Sequence, residues 1–343
     1  MINWNDSALD IYIWDVGHGL SITIITPYVD NIFGSPFKRR RVIQVDAGSN
    51  DPYGFSPIKH LVNNLGLSDI DHMFITHADQ DHINDLPNAF QLVNEGKLNI
   101  HTFTRNRSVP DIILSEDPTK EKSAKTIYKH LNQTYIAPVP MEHLFLPQNF
   151  GGVEVNSTFL SFLEGKTLNN TSLVVEIKFG TTQFIIPGDL EEEGAALLID
   201  SGRMFIRDMN RYRILVAPHH GSSTAKPAKL LGHLHPHKVL ASVEENHELT
   251  DPLYSSPDYV LGHEIELFNG EKVIRRFTGT KGQLIHLKTY GHIPMLKKIS
   301  YDKYKQPIVP PYSDLLSKIV GLPTPNYSKS TFIDMLMKAK TDK

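Results

Sequence analysis

Hydrophobic and polar positions alternate through the first fifty residues, the pattern of strands with one buried face. Leu9 to Trp14, Leu20 to Thr26 and Arg41 to Val45 read as strands, broken at Gly17 and Gly19 and by a Pro/Gly/basic loop. Pro57 to Leu65 follows a helical period, with proline in its first turn and Gly66 at its stop. His72 to Thr76 is a short apolar strand that runs into His77-Ala78-Asp79-Gln80-Asp81-His82, and Ile83 to Val93 returns to the helical period. The polar hexapeptide is therefore expected on a loop between a strand's C-terminal end and a helix.

Residues 98–150 are less periodic, with a strand at Ile100–Thr104 and a charged helix near Thr119–Leu131. A second β-rich block follows: Thr158–Leu163, Ser172–Phe179 and Gln183–Ile186, the last ending at Pro187-Gly188-Asp189. Glu191 to Ile199 is predicted helical, and the strand Arg213–Ala217 ends at Pro218-His219-His220-Gly221-Ser222. Strands at Lys238–Val243, Ile274–Phe277 and Gln283–Lys288 complete the set. Two β-rich blocks, each followed by helices, predict an α/β (α+β) fold of two sheets stacked face to face with helices outside. One domain is expected over residues 1–293, then a Pro/Lys-rich extension over 294–343 with short helices at Ser313–Val320 and Ser330–Lys340.

Composition narrows the chemistry. The 343 residues include 17 His and no Cys, which excludes disulfides, Cys-ligated zinc and thiol nucleophiles. Any metal ligands must be imidazole nitrogen or carboxylate oxygen. No apolar run approaches the ~20 residues of a membrane span, the start lacks a secretory pattern, and a cytoplasmic location is expected. Formal charge is −3; residues 294–343 carry nine Lys and four Asp, leaving the rest at −8, a poor match for duplex DNA. The clusters Lys38-Arg39-Arg40-Arg41 and Arg203, Arg207, Arg211 and Arg213 read as a solvated turn and helix face, with phosphate binding as the alternative. His233, His235 and His237 read as surface groups.

The hexapeptide carries four potential ligands in six residues. Alternate residues of an extended segment face one way, so His77, Asp79 and Asp81 can converge, and the turn into the helix brings His82 round. Three other predicted strands end in the same chemistry: Asp46 in Val45-Asp46-Ala47-Gly48, Asp189 in Pro187-Gly188-Asp189-Leu190, and His219-His220. Alone, each has a plain structural use, Asp189 as a helix cap for example. Together they point to a metal centre.

In these residues the chain resembles the metallo-β-lactamase-fold hydrolases, and within them the hydrolase domain of ComEC-type competence proteins. The matching segments are DVGHG (15–19), VDAG (45–48), THADQDH (76–82), NNTSLVVEI (169–177), IIPGDLE (185–191) and LVAPHHGSST (215–224). The resemblance spans roughly Leu9 to Gly291 and implies an αββα sandwich with a two-metal centre at one edge. It assigns His77 and Asp79 to the first metal, and Asp81, His82 and a late His to the second, His219 in preference to His220. Asp189 bridges them. Asn170 stands where many relatives place a histidine, as a neutral oxygen ligand or as a residue behind the ligands. Asp46 and Asp15 would orient imidazoles or hold a bridging water.

Asp79 in place of a second His makes the centre richer in hard oxygen, favouring Mn²⁺ or Mg²⁺ while leaving Zn²⁺ open. Such a centre, with a bridging hydroxide, suits phosphodiester hydrolysis, so a phosphodiesterase or nuclease acting on nucleic acid or a nucleotide is expected. Asp81 and Asp189 would then serve the reaction directly. His220 would protonate the leaving oxygen and the Gly221 and Ser222 amides would hold a phosphate oxygen, or the segment is simply a tight turn. The alternatives are a hydrolase of a small ester, lactone or phosphocholine-type substrate, and a nucleotide-binding regulatory module. Two departures from the family pattern stand out. His18 replaces a more usual polar amide, and Asp251 stands where a His is common. The membrane domain of the full-length competence channel has no counterpart here, so a role other than an uptake pore is expected. The extension offers a stripe of Phe332, Leu336 and Ala339, with Ile333 and Met337 flanking, that docks on the body or on a protein partner.

Overall fold

The computed structural model describes residues 7–29, 39–49, 54–110, 113–114, 123–136, 145–243, 250–266 and 272–300. The expected helices at Ser313–Val320 and Ser330–Lys340, and residues 244–249, lie outside the described residues. The strands in chain order are β1 (Leu9–Ile13), β2 (Ile22–Val29), β3 (Arg39–Val45), β4 (Asp69–Ile70), β5 (His72–Phe74), β6 (Asn99–Ile100), β7 (Phe103–Thr104), β8 (Glu154–Thr158), β9 (Val174–Phe179), β10 (Thr182–Ile186), β11 (Tyr212–Val216), β12 (Lys238–Ala241), β13 (His263–Glu266), β14 (Lys272–Arg275), β15 (Phe277–Gly279), β16 (Gln283–Thr289) and β17 (Met295–Ser300). The α-helices are α1 (Pro57–Asn63), α2 (Gln80–Ile83), α3 (Leu86–Asn94), α4 (Ala124–Thr134), α5 (Phe162–Gly165), α6 (Glu192–Asp200) and α7 (Ala228–Leu234).

Two sheets dominate, in the orders β17-β16-β1-β2-β3-β5-β7 and β15-β12-β11-β10-β9-β8. Period-two alternation decides what each strand gives to which layer. In β1, Leu9, Ile11 and Ile13 enter the core between the sheets, where they meet Phe184 and Ile186 of β10. Ile185, between those two, faces instead the helical layer with Leu198 of α6 and Leu231 of α7. On the far side, α3 and α4 cover the first sheet through Leu86, Leu92, Ile127 and Leu131. Full burial of each such side chain contributes roughly 1.5–3 kcal/mol. The result is the expected αββα sandwich.

Strand direction places the site. β3 and β5 run parallel in the first sheet, and β10 and β11 run parallel in the second. Their C-terminal ends therefore deliver Asp46, His77, Asp189 and His219-His220 to one edge of the sandwich.

Several elements differ from the sequence reading. The strand expected at Thr158–Leu163 is β8, at Glu154–Thr158, and Phe162–Gly165 is helical, because Ser161 and Glu164 form a reciprocal capping box. The single helix expected from Ile83 to Val93 is two, α2 and α3, with Asp85 at the N-terminal boundary of the second and Pro87 in its first turn. The hairpin β13–β14 was not foreseen, and β17 extends the first sheet beyond residue 293 by pairing with β16. The basic clusters are largely spent on structure. Arg39 and Arg41 pair with buried Asp71 and Arg40 with Asp10. Arg203 pairs with Glu164 and Arg211 with Asp208. Arg213 is buried, and its guanidinium donates to the Leu234 and His235 carbonyls at the end of α7.

Asp85 makes a separate prediction. It is fully buried at the joint of α1 and α3, where it accepts from Ile58 N (2.9 Å) and Asn88 Nδ2 (2.7 Å). Burial outweighs these bonds and pushes its carboxyl up to about 7. The unfolded chain releases this proton near 3.8, so the folded state holds more protons between those values, and this contribution to stability falls as pH rises through that window. The full loss is about 4 kcal/mol. Asp85→Asn removes the titration while Asn88 can turn its amide to suit. Urea unfolding at pH 4.5 and pH 8 is expected to show the variant gaining on the wild type as pH rises; a constant difference between them would refute the assignment.

Candidate metal centre

Asp46 organises the site. It sits in the left-handed region (φ 57) just after β3, which aims its carboxylate at the end of β5. There it accepts from Thr76 N (2.6 Å), Thr76 Oγ1 (2.7 Å) and His82 Nδ1 (2.7 Å). A carboxylate only accepts, so His82 must donate from Nδ1, which turns Nε2 toward the cluster. The Thr76 hydroxyl spends its proton on Asp46, so at 3.1 Å from His77 Nδ1 it accepts from that ring. One carboxylate thus fixes both imidazoles with Nε2 presented inward, the arrangement by which a neighbouring acid orients a metal-binding histidine. Thr76 is the residue that the sequence reading missed; its signal was a hydroxyl immediately before the first histidine at a strand end.

The second sheet supplies the opposing wall. Gly188 lies against Thr76 so closely that a Cβ there would stand 2.7 Å from the Thr76 side chain. With φ 59 as well, the position calls for glycine. This contact lays Asp189 over the two imidazoles: Oδ1 is 3.1 Å from His82 Nε2, and Oδ2 is 3.7 Å from His77 Nε2 and 3.5 Å from His220 Nε2.

Asp81, His82, Asp189 and His220 each place a ligand atom within 4.8 Å of the others. Beside them, His77 Nε2 lies 3.4 Å from Asp79 Oδ2, so a second donor pair shares Asp189 with the first group. His77 Nε2 and Asp189 Oδ1 are buried yet make no hydrogen bond. Asp189 Oδ1 is near His82 but lacks the alignment for one. Buried polar atoms are rarely left so. His82 Nε2 and His220 Nε2 lie 3.2 Å apart, within hydrogen-bond distance of each other, and with the unpartnered His77 Nε2 and Asp189 Oδ1 they form an inward-facing donor set suited to cations.

Charge follows the same geometry. Burial opposes a charged imidazole at His82 and at His220, but neighbouring carboxylates outweigh it. Asp189 and Asp46 raise His82 well above the ordinary histidine range, and Asp189 with Asp81 raises His220 to about 9. Asp189, despite burial, is held well below the carboxylate range by the same two rings, and Asp81 is brought down to about 2. A cation bound among these groups would compete with protons for the imidazole nitrogens.

The other expected site residues fall elsewhere. His219 is not in the four-residue cluster; its Nε2 is 3.9 Å from Asp189 and its Nδ1 accompanies Thr224 (3.2 Å) and Glu191 (3.9 Å) at the rim. His220 is the buried member instead, because both residues adopt left-handed backbone (φ 47 and 55), which turns the second ring inward. Asn170 is buried but its Oδ1 accepts from Gly194 N (3.2 Å), holding the first turn of α6 behind Asp189. Ser222 caps the turn that follows, and its amide is used by His219 O (2.9 Å), which removes it as a phosphate donor. Asp15 is buried and faces Thr280 and the backbone of Gly282 and Gly17 rather than an imidazole, and burial pushes its carboxyl up. His233, His235 and His237 do not converge: His233 Nε2 meets Phe205 O, and His237 Nδ1 accepts from Arg213 N.

A two-sheet sandwich with helices on both outer faces, and a His/Asp cluster built from the loops at one edge, settles the architecture. The chain has the αββα architecture that its resemblance to the metallo-β-lactamase-fold hydrolases implies. No protein-family model matches it. In sequence it is similar to ComE operon protein 3 of Bacillus subtilis (strain 168), at 20% identity over 272 residues, covering 75% of this chain and 31% of that protein. The chain thus spans under a third of that relative's length. Among solved structures, a long form RNase Z from yeast has a TM-score of 0.39 at 13% identity, covering 81% of this chain and 42% of that one. A diphosphatase from the PhnP family has a TM-score of 0.35 at 13% identity, covering 82% of this chain and 98% of that one. Among the described residues, no helix is long and apolar enough to cross a membrane.

Proposed function

We propose that this chain is a metallo-β-lactamase-fold, metal-dependent phosphodiesterase acting on nucleic acid or a nucleotide. The observation that carries the reading is Asp189, whose two oxygens face both donor groups at 3.1–3.7 Å. His77 and Asp79 would hold one divalent ion, and Asp81, His82 and His220 the other, with Asp189 between them. Two such ions supply an acidified water and neutralise charge on an in-line displacement at phosphorus. The chain's own part is to fix the imidazoles through Asp46 and Thr76, and to keep the inner ligands dry while Asp79 and Asp81 stay partly open. Three carboxylates make the donor set hard, which supports Mn²⁺ and admits Mg²⁺, while the three imidazoles suit Zn²⁺. The lack of cysteine fits a reducing compartment, and we read the chain as cytoplasmic.

The test is turnover of single-stranded DNA, RNA and bis-p-nitrophenyl phosphate by protein loaded with each metal, with metal content measured on the same samples. The expected result is metal-dependent cleavage of at least one diester, abolished by a chelator and restored by metal. Metal bound at full occupancy with no diester cleaved, but esters or lactones hydrolysed, would replace this reading. Failure to bind metal would overturn it.

A further inference from the structure

The loop after β1 carries a histidine that the ligand set leaves unused, and separate contacts fix that loop at the mouth of the centre. Its start is held by Ser242 Oγ, 3.5 Å from the carbonyl oxygens of both Trp14 and Gly17, with Asp15 between them buried. Its end is pressed onto the ligand segment: at Gly19 (φ 153) a Cβ would stand 2.5 Å from the Asp81 carbonyl oxygen, a place no side chain can take. Leu20 N reaches that same oxygen at 3.4 Å. Between the anchors, the His18 ring packs on His220 with centroids 4.6 Å apart. Its Nε2 stands 3.9 Å from Asp81 Oδ2, beyond hydrogen-bond range. The His18 side chain is 50% exposed, whereas that of His220 is 2% exposed. It is a half-exposed imidazole held beside Asp81 and His220.

We propose that His18 is a substrate-contacting residue, whose imidazole N–H donates a hydrogen bond to a non-bridging oxygen of a phosphodiester seated over Asp81 and His220. The inference rests on the phosphodiesterase reading and adds the group that grips the substrate. Non-bridging oxygens carry the diester's negative charge, and a donor beside Asp81 offsets that carboxylate's repulsion of them. A hydrogen bond to a charged oxygen of this kind changes kcat/KM by about 10- to 100-fold.

The experiment compares wild type, His18→Ala and His18→Gln on a dinucleotide and on its two phosphorothioate diastereomers, with metal content measured in each protein. His18→Ala is expected to lose about 10- to 100-fold on the oxygen substrate, at unchanged metal content. His18→Gln, which keeps an N–H donor, is expected to recover most of that loss. On the diastereomer whose sulfur, a poor acceptor, replaces the contacted oxygen, His18→Ala and wild type should cleave at the same rate. An equal penalty on all three substrates, or none on the oxygen substrate, would overturn the proposal. A second readout does not depend on turnover: adding dimethyl phosphate to the metal-loaded wild type should move the imidazole nitrogen resonances of His18. If wild type cleaves no diester, the functional reading fails, and an unmoved His18 resonance then removes this inference too.

Discussion

Asp189→Asn is expected to lower phosphodiester turnover by on the order of 10³-fold or more and to prevent binding of a second metal equivalent. The substitution keeps size and shape but removes the charge that two donor groups share. Its carboxylate faces His82 at 3.1 Å, His220 at 3.5 Å and His77 at 3.7 Å, and no other described carboxylate reaches all three rings. An amide offers one neutral oxygen, enough for a weak ligand on one side only. Electrostatic stabilisation by a bound metal is worth several kcal/mol, and each 1.36 kcal/mol is tenfold in rate, which sets the size of the loss. Steady-state kinetics and metal analysis on the same preparations check it, with circular dichroism to confirm folding. Near-normal turnover in Asp189→Asn would sink the shared-carboxylate reading.

Asp46→Asn should weaken metal binding by about 10- to 100-fold without touching a ligand. Asparagine tolerates the left-handed backbone at this position better than other residues do, so the change tests the charge and not the turn. An Asn oxygen can still accept from Thr76 N, but the amide nitrogen cannot accept from the Thr76 hydroxyl or His82 Nδ1. His82 then loses the partner that turns Nε2 inward, and His77 loses its fixed proton through Thr76. Calorimetric metal titration reads the effect directly. Equal affinities for wild type and variant would show that the imidazoles are held by packing alone.

The strand ends carrying His77, Asp189 and the His219-His220 pair were legible because apolar runs stop abruptly at ligand-type residues, and the period of two placed the sheets. What escaped reading depended on contacts distant in sequence. Nothing local distinguishes His219 from His220; the choice follows from two consecutive left-handed residues, a conformation that sequence propensities do not reveal. The resemblance assigned Asp15 to an imidazole or a bridging water, yet it faces Thr280 and Gly282, some 265 residues later in the chain. Asn170 was placed near the ligands correctly in space, but the oxygen's direction is set by Gly194 in α6. The β8 register slipped because Ser161 and Glu164 cap a short helix where an apolar alternation continues on paper.

The close seating of Gly188 on Thr76 has a thermodynamic consequence. His77, Asp79, Asp81 and His82 come from the first sheet and Asp189 and His220 from the second, so cations bound among them would act as a clasp across the open edge of the sandwich. Without such ions, the two faces meet there through imidazole–carboxylate pairs that depend on protonation. On the proposed reading, metal occupancy and closure of that edge would be one linked equilibrium, in which every ion bound would also tighten the seam between two halves of the core.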